Sequence, residues 1–135
     1  MNKTHAGSCL CGAVRYEVTG DFDRFFLCHC EHCRKGTGSA HGANLFSSQA
    51  KLDWLSGKEK VTVYNLPNTR HHKSFCSICG SALPTAAPDG KLVVVPAGSL
   101  NTPVDLAPTA HIFMSSKGNW DQGLEAIQKF EKYPS

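Results

Sequence analysis

The sequence predicts a mostly β protein, and three features of its 135 residues support that prediction. Short runs alternate between apolar and polar residues, β-branched residues are concentrated in those runs, and Gly, Pro, Asn, Asp or Ser separate them. Apolar residues make up 41% of the chain and charged residues 19%, which is typical of a folded protein and excludes intrinsic disorder. Because a chain of this length buries one core, we expect residues 1–135 to form a single domain.

The clearest predicted strand covers residues 13–18, where Val14, Tyr16 and Val18 share one face. Similar β-rich runs predict further strands at residues 43–46, 61–64, 91–95 and 111–114. Near the end of the chain, Leu124, Ile127 and Phe130 recur at every third position of a window rich in helix formers, residues 123–132. This spacing predicts a short C-terminal helix.

Charge and hydropathy exclude several classes of partner. The formal net charge is +3, and no window concentrates Lys and Arg, so we expect no nucleic-acid partner. No apolar stretch reaches the length of a bilayer span, and no secretory leader follows Lys3, so we expect no membrane partner and a cytoplasmic location. In that reducing compartment, clustered thiols are more often metal ligands than disulfides, and an odd number of cysteines does not suit a purely disulfide framework.

The chain has seven cysteines, which fall into three sets by spacing: Cys9 and Cys11; Cys28, Cys30 and Cys33; Cys76 and Cys79. The first and last sets are two close pairs far apart in sequence, the usual source of a closed structural zinc site with four thiolates. Gly12 and Gly80 follow these pairs, where a tight knuckle turn needs positive φ. The alternatives are disulfides or buried apolar thiols, although a disulfide within the first pair would close a very small loop.

The middle set differs in kind, because its three thiolates lie within six residues. Three protein ligands leave the fourth corner of a tetrahedral zinc site open to water or substrate, which is the arrangement of catalytic zinc. Cys28, Cys30 and Cys33 are therefore the candidate catalytic residues. Two alternatives stay open: a histidine closes the site, or the three thiols form a redox relay. Of the two nearby histidines, His29 is expected to point away from a metal held by Cys28 and Cys30, which leaves His32.

Taken together, these motifs resemble the glutathione-dependent formaldehyde-activating enzyme family, which also includes centromere protein V-like domains. The resemblance covers nearly the whole chain and is specific in order and spacing. It rests on residues 7–16, 28–34, 74–81 and 108–112, with Trp120 and the ending 131–134.

The resemblance implies a fold, a cofactor set and an activity. The fold is a β-tent, in which two antiparallel sheets are splayed from a shared edge and carry zinc knuckles. The cofactors are two zinc ions, one structural and one catalytic, divided between the cysteines as above. The activity is condensation of formaldehyde with glutathione to S-(hydroxymethyl)glutathione, a carbon-sulfur lyase reaction in reverse.

Other residues and functions remain as alternatives. Glutathione carboxylates would need cations, and Arg34, Lys35, Arg70 and Lys73 lie near the cysteines in sequence, although surface charges of this kind are as often simply solvated. His111 is a candidate acid or base or a structural residue, whereas His71 and His72 are expected to be exposed. The alternative functions are a non-catalytic binding module with a closed second zinc, and a thiol redox sensor.

Overall fold

The computed structural model describes residues 3–134, which are mostly β with one seven-residue α-helix, α1, at Glu31–Thr37. The strands of this described part are β1 (Thr4–Ser8), β2 (Arg15–Thr19), β3 (Arg24–Cys28), β4 (Gly42–Ser47), β5 (Lys51–Ser56), β6 (Val61–Asn65), β7 (His72–Cys76), β8 (Ala82–Leu83), β9 (Thr85–Ala86), β10 (Val93–Pro96) and β11 (Ala110–Ile112). All five predicted strands are present, and the mostly β class is confirmed.

Between residues 3 and 134 the strands form three sheets, with orders β1-β2-β5, β11-β3-β4-β10-β9 and β6-β7-β8. The pairings are antiparallel except that β11 runs parallel to β3. This differs from the two antiparallel sheets implied by the resemblance. The parallel pair matters for the site, because it places the chain after β11 beside the cysteines that follow β3.

The core follows the predicted pattern of β2. Val14, Tyr16 and Val18 are fully buried, with 0% exposure, and they pack with buried residues of β4 and β10. The Tyr16 ring lies across the paired β1 residue Gly7, where a Cβ would stand 2.3 Å from the ring. Only glycine leaves that space, which explains why the two residues occur as partners.

The predicted C-terminal helix is wrong in extent. Of residues 123–132, only Leu124–Ala126 form a single 3-10 turn, and the remainder is irregular. Leu124, Ile127 and Phe130 are 37%, 62% and 48% exposed, so their apolar stripe has no surface to pack against. A helix of ten residues is marginal without such packing, whatever its propensity.

A search of the described helices for a membrane span finds no helix with the length and apolar character to cross a bilayer.

Candidate active site

The four-cysteine group consists of Cys9, Cys11, Cys76 and Cys79, whose sulfur atoms all lie within 4.8 Å of one another. The Sγ atoms of Cys9 and Cys11 are 3.6 Å apart, and those of Cys11 and Cys76 are 3.9 Å apart. Tetrahedral zinc with Zn–S bonds of about 2.3 Å requires separations of about 3.8 Å. The four thiols therefore fit one metal ion, as the spacing predicted.

Two glycine turns shape this group. Gly12 has φ of 81° and Gly80 has φ of 78°, and their N–H groups donate to the carbonyls of Cys9 and Cys76 at 3.1 and 2.8 Å. The predicted need for positive φ at both positions is confirmed. A hydrogen bond with the Ser81 hydroxyl, 3.2 Å from the sulfur, lowers the pKa of Cys79 to about 5. The knuckle thus favours a thiolate before any metal binds.

The three-cysteine group consists of Cys28, Cys30 and Cys33, again with sulfur atoms within 4.8 Å of one another. Cys28 ends β3, Cys30 is the N-cap of α1, and Cys33 lies in its first turn. Among residues 3–134, no histidine nitrogen or carboxylate oxygen joins these sulfurs at that distance. This group therefore offers a metal ion three protein ligands rather than four.

The environment of the three thiols opposes simultaneous ionisation. Burial raises the pKa of the Cys28 and Cys33 thiols. Burial also opposes ionisation of Cys30, but the Cys33 backbone N–H, 3.3 Å from the Cys30 sulfur, helps to lower the pKa of that thiol. Three adjacent thiolates repel one another unless a cation lies between them. The group could hold a metal ion, and a metal ion would allow all three to ionise.

A cavity of about 370 Å³ adjoins the three-cysteine group. Of the seven cysteines, Cys33 lines this cavity, and no member of the four-cysteine group does. An added Cβ at Gly42 would stand 3.5 Å from the Cys33 sulfur and 3.3 Å from Asn44 Nδ2. Glycine at this position therefore lets β4 approach Cys33 closely, and Asn44 lines the same cavity as Cys33.

Part of the cavity wall is basic. Arg70 and Lys73 line it, and the Lys73 ammonium donates to the carbonyl of Gly36, which also lines the cavity. His71 also lines it and is half-buried, so the expectation that His71 is exposed is wrong; His72 is exposed as expected. Burial, with the neighbouring His32, lowers the pKa of His71, so the fixed positive charge of this wall comes from Arg70 and Lys73.

The other two basic candidates lie elsewhere. Arg34 donates from Nε to the Ser116 carbonyl at 3.0 Å, and Lys35 is exposed outside the cavity lining. His111 contacts His29, with Nδ1 2.9 Å from the His29 Nε2 atom. His111 therefore contacts the residue between Cys28 and Cys30 and does not line the cavity.

Comparison with known proteins decides the family. A family model described as "Glutathione-dependent formaldehyde-activating enzyme" matches residues 4–116. This chain belongs to that family. A Halomonas elongata protein that bears the family's name is 32% identical over 140 residues, which covers 95% of this chain and 87% of the relative. A Rhodobacter sphaeroides protein of known crystal structure matches with a TM-score of 0.53 and 23% identity, covering 78% of this chain and 98% of the other, and it supports the fold alone.

The cysteines of this member of the glutathione-dependent formaldehyde-activating enzyme family were predicted from the sequence, but most of the residues around them were not. All seven cysteines lie inside the matched residues 4–116. Asn44, His71 and two neighbours of His29, namely His41 and Asp121, were not predicted as site residues. Asn44 and His71 carry no local motif, and only the tertiary structure brings them to Cys33. His29 lies between two cysteines, which was a signal that its ring has a separate environment.

Proposed function

We propose that this protein is a zinc-dependent enzyme that joins glutathione to formaldehyde, forming S-(hydroxymethyl)glutathione, and that it acts as a carbon-sulfur lyase in the reverse direction. The observation that carries the proposal is the position of the three-cysteine group. It offers three protein ligands, and its Cys33 lines a cavity with a basic wall. Family membership supports the proposal, since the names of the family and of its Halomonas elongata member describe glutathione-dependent activation of formaldehyde.

Zinc suits both groups because thiolate-only donor sets select soft or borderline metals such as Zn²⁺. We propose two ions, a structural one at Cys9, Cys11, Cys76 and Cys79 and a catalytic one at Cys28, Cys30 and Cys33. When bound at the second group, zinc would supply a Lewis acid that lowers the pKa of a coordinated substrate thiol. We expect the protein in the cytoplasm, where thiols remain reduced.

The remaining parts of the cavity bind and orient the substrates. The cations of Arg70 and Lys73 would pair with the carboxylates of glutathione, which fixes the tripeptide with its sulfur toward Cys33. In the reaction, the sulfur attacks the carbonyl carbon, a carbon-sulfur bond forms, the carbonyl π bond breaks, and the proton lost by the thiol ends on the new hydroxyl oxygen. Asn44 lines the same cavity as Cys33, and its side-chain amide would donate to that oxygen as its charge develops.

Exchange NMR on the zinc-loaded protein tests this function. With glutathione and formaldehyde at equilibrium, the protein should accelerate exchange of the hydroxymethyl adduct in a saturable manner, and Cys30→Ser should return the rate to the uncatalysed background. Calorimetry in buffers of different ionisation enthalpy should detect a proton released when glutathione binds. Failure of glutathione to bind the fully loaded protein at millimolar concentration would overturn this substrate assignment.

A further inference from the structure

A second cluster of titratable side chains surrounds His29 of the three-cysteine segment and does not line the cavity. We call it the histidine cluster, and it consists of His29, His41, His111 and Asp121. The His29 ring centroid is 5.0 Å from that of His41 and 5.1 Å from that of His111. His29 itself is 2% exposed, although it stands between Cys28 and Cys30. None of the four residues lines the cavity beside Cys33.

His29 connects the cysteine segment to residues 110–121, which we call the strap. Its backbone N–H donates to the Ile112 carbonyl at 2.9 Å, and its Nε2 atom is 2.9 Å from His111 Nδ1. Its Nδ1 atom is 3.0 Å from Asp121 Oδ2, a hydrogen-bonding distance with poor alignment. Arg34 adds a further tie through the Ser116 carbonyl. Contacts of His29, which precedes α1, and of Arg34, which lies in α1, therefore hold the strap on the three-cysteine segment.

The buried polar atoms of the histidine cluster are expected to lower the free energy of unfolding. Among residues 3–134, the buried side-chain polar atoms without a well-aligned partner are His5 Nε2, His29 Nδ1, His41 Nδ1 and Asp121 Oδ2. Three of these four atoms belong to the histidine cluster. Native proteins pair almost all such atoms, and replacing buried charged or polar groups by apolar residues of similar volume is often neutral or stabilising. A polar cluster at this position therefore calls for a role other than stability.

We propose that His29 and Asp121 are positioning residues for the three-cysteine metal site. Cys28 and Cys30 flank His29, so in an extended segment their side chains point away from the His29 ring. Fixing that ring against Asp121 and His111 therefore fixes the direction of both sulfur atoms toward Cys33. Outer contacts of this kind typically change metal affinity by about 10–100-fold when they are removed. The inference rests on the metal site of the proposed function, but not on glutathione or formaldehyde.

Metal release tests the proposal without any substrate. The full chain is loaded with Co²⁺, whose thiolate charge-transfer and ligand-field absorption reports coordination, and is then challenged with a chelator. The faster phase of release is assigned to the three-cysteine group by its absence in Cys30→Ser. His29→Ala should accelerate that phase by about 10–100-fold and alter its ligand-field bands. Asp121→Asn, which keeps the side-chain volume, should give a smaller acceleration in the same phase.

The matched control is His5→Ala, which removes another buried histidine with an unpartnered nitrogen from β1. It should lower the thermal midpoint and leave the fast phase unchanged. An unchanged fast phase in His29→Ala would overturn the proposal, as would equal acceleration of both phases, because the effect would then be general destabilisation. A third equivalent of Co²⁺ that Asp121→Asn abolishes would also overturn it, since the cluster would then be a metal site itself. Because no thiol substrate is present, these results are independent of the test of glutathione binding.

Discussion

The two cysteine groups use the same ligand atom in opposite surroundings. The four-cysteine group joins two knuckles that are distant in sequence and has a complete set of thiols. None of its members lines the cavity beside Cys33, although Cys9 lines a second cavity of about 580 Å³. The three-cysteine group comes from one short segment, has one ligand fewer, and presents Cys33 to a cavity with a basic wall. The two groups therefore differ in ligand number and position rather than in ligand type, which is the difference expected between a structural and a catalytic zinc site.

Loss of the four-cysteine site should have the largest effect. Its ligands connect residues 9–11 to residues 76–79, and Cys76 is fully buried at the end of β7. Metal binding at such a site contributes directly to folding free energy, about 10–16 kcal/mol in zinc-finger peptides. Cys76→Ser should therefore abolish cooperative thermal unfolding, measured by circular dichroism. Retention of a cooperative transition near the wild-type midpoint would contradict a structural role for this group.

Loss of the three-cysteine site should affect activity more than folding. Cys30→Ser should leave a folded protein with close to one zinc ion, whereas the wild type should carry close to two. Its exchange of the hydroxymethyl adduct should fall to background. The measurements are elemental analysis, thermal unfolding and exchange NMR on the same preparations. If the thermal midpoint of Cys30→Ser falls as far as that of Cys76→Ser, the two groups do not differ in function as proposed.

Two glycine variants, one near each cysteine group, should test the difference between the groups with smaller effects than the cysteine variants. Gly42→Ala places a Cβ 3.4 Å from Cys33 Cβ and 3.3 Å from Asn44 Nδ2, so those atoms must shift by a few tenths of an ångström. We expect a several-fold loss of kcat/KM, below the about 100-fold that a 1 Å misplacement can cost. Gly12→Ala meets no atom within 4 Å but must adopt φ of 81°, which costs about 1 kcal/mol of stability.

Steady-state kinetics and denaturant unfolding of both glycine variants provide the check. Each variant is the control for the other, since one disturbs the surroundings of Cys33 and the other only a knuckle turn. The expected pattern is lost activity with little lost stability at position 42, and the reverse at position 12. The same loss of kcat/KM in both variants would show that the two groups are not functionally separate.

The features of this structure that could be predicted from the sequence depend mainly on neighbouring residues. Val14, Tyr16 and Val18 are buried as their alternation predicted, and the turns at Gly12 and Gly80 have the positive φ that a knuckle requires. The cysteine spacing also predicted which sulfurs would meet. Each of these features is determined by residues a few positions apart, or by a ligand count that only one division satisfies.

The features that the sequence did not reveal depend on distant partners. Helix α1 was missed because a seven-residue helix has too few turns for apolar periodicity, and its N-cap is the sulfur of Cys30 rather than an oxygen. The C-terminal stripe at Leu124, Ile127 and Phe130 has helical spacing but no neighbour to bury it. His71 was expected to be exposed because nothing nearby in sequence indicates that α1 covers it.

The smallest expected effect concerns the basic wall of the cavity. If Arg70 and Lys73 bind the carboxylates of the thiol substrate, Lys73→Gln and Arg70→Gln should each raise KM for glutathione and leave kcat nearly unchanged. Solvated ion pairs contribute about 0.2–1 kcal/mol each, so the increase should be about 1.4–5-fold and should diminish in high salt.

Lys35→Gln, which removes an exposed lysine from α1 outside the cavity lining, is the matched control. Initial rates at low and high ionic strength make the measurement. An equal rise in KM for the control would mean that overall charge attracts the substrate, and the basic wall would no longer distinguish the three-cysteine group from the four-cysteine group.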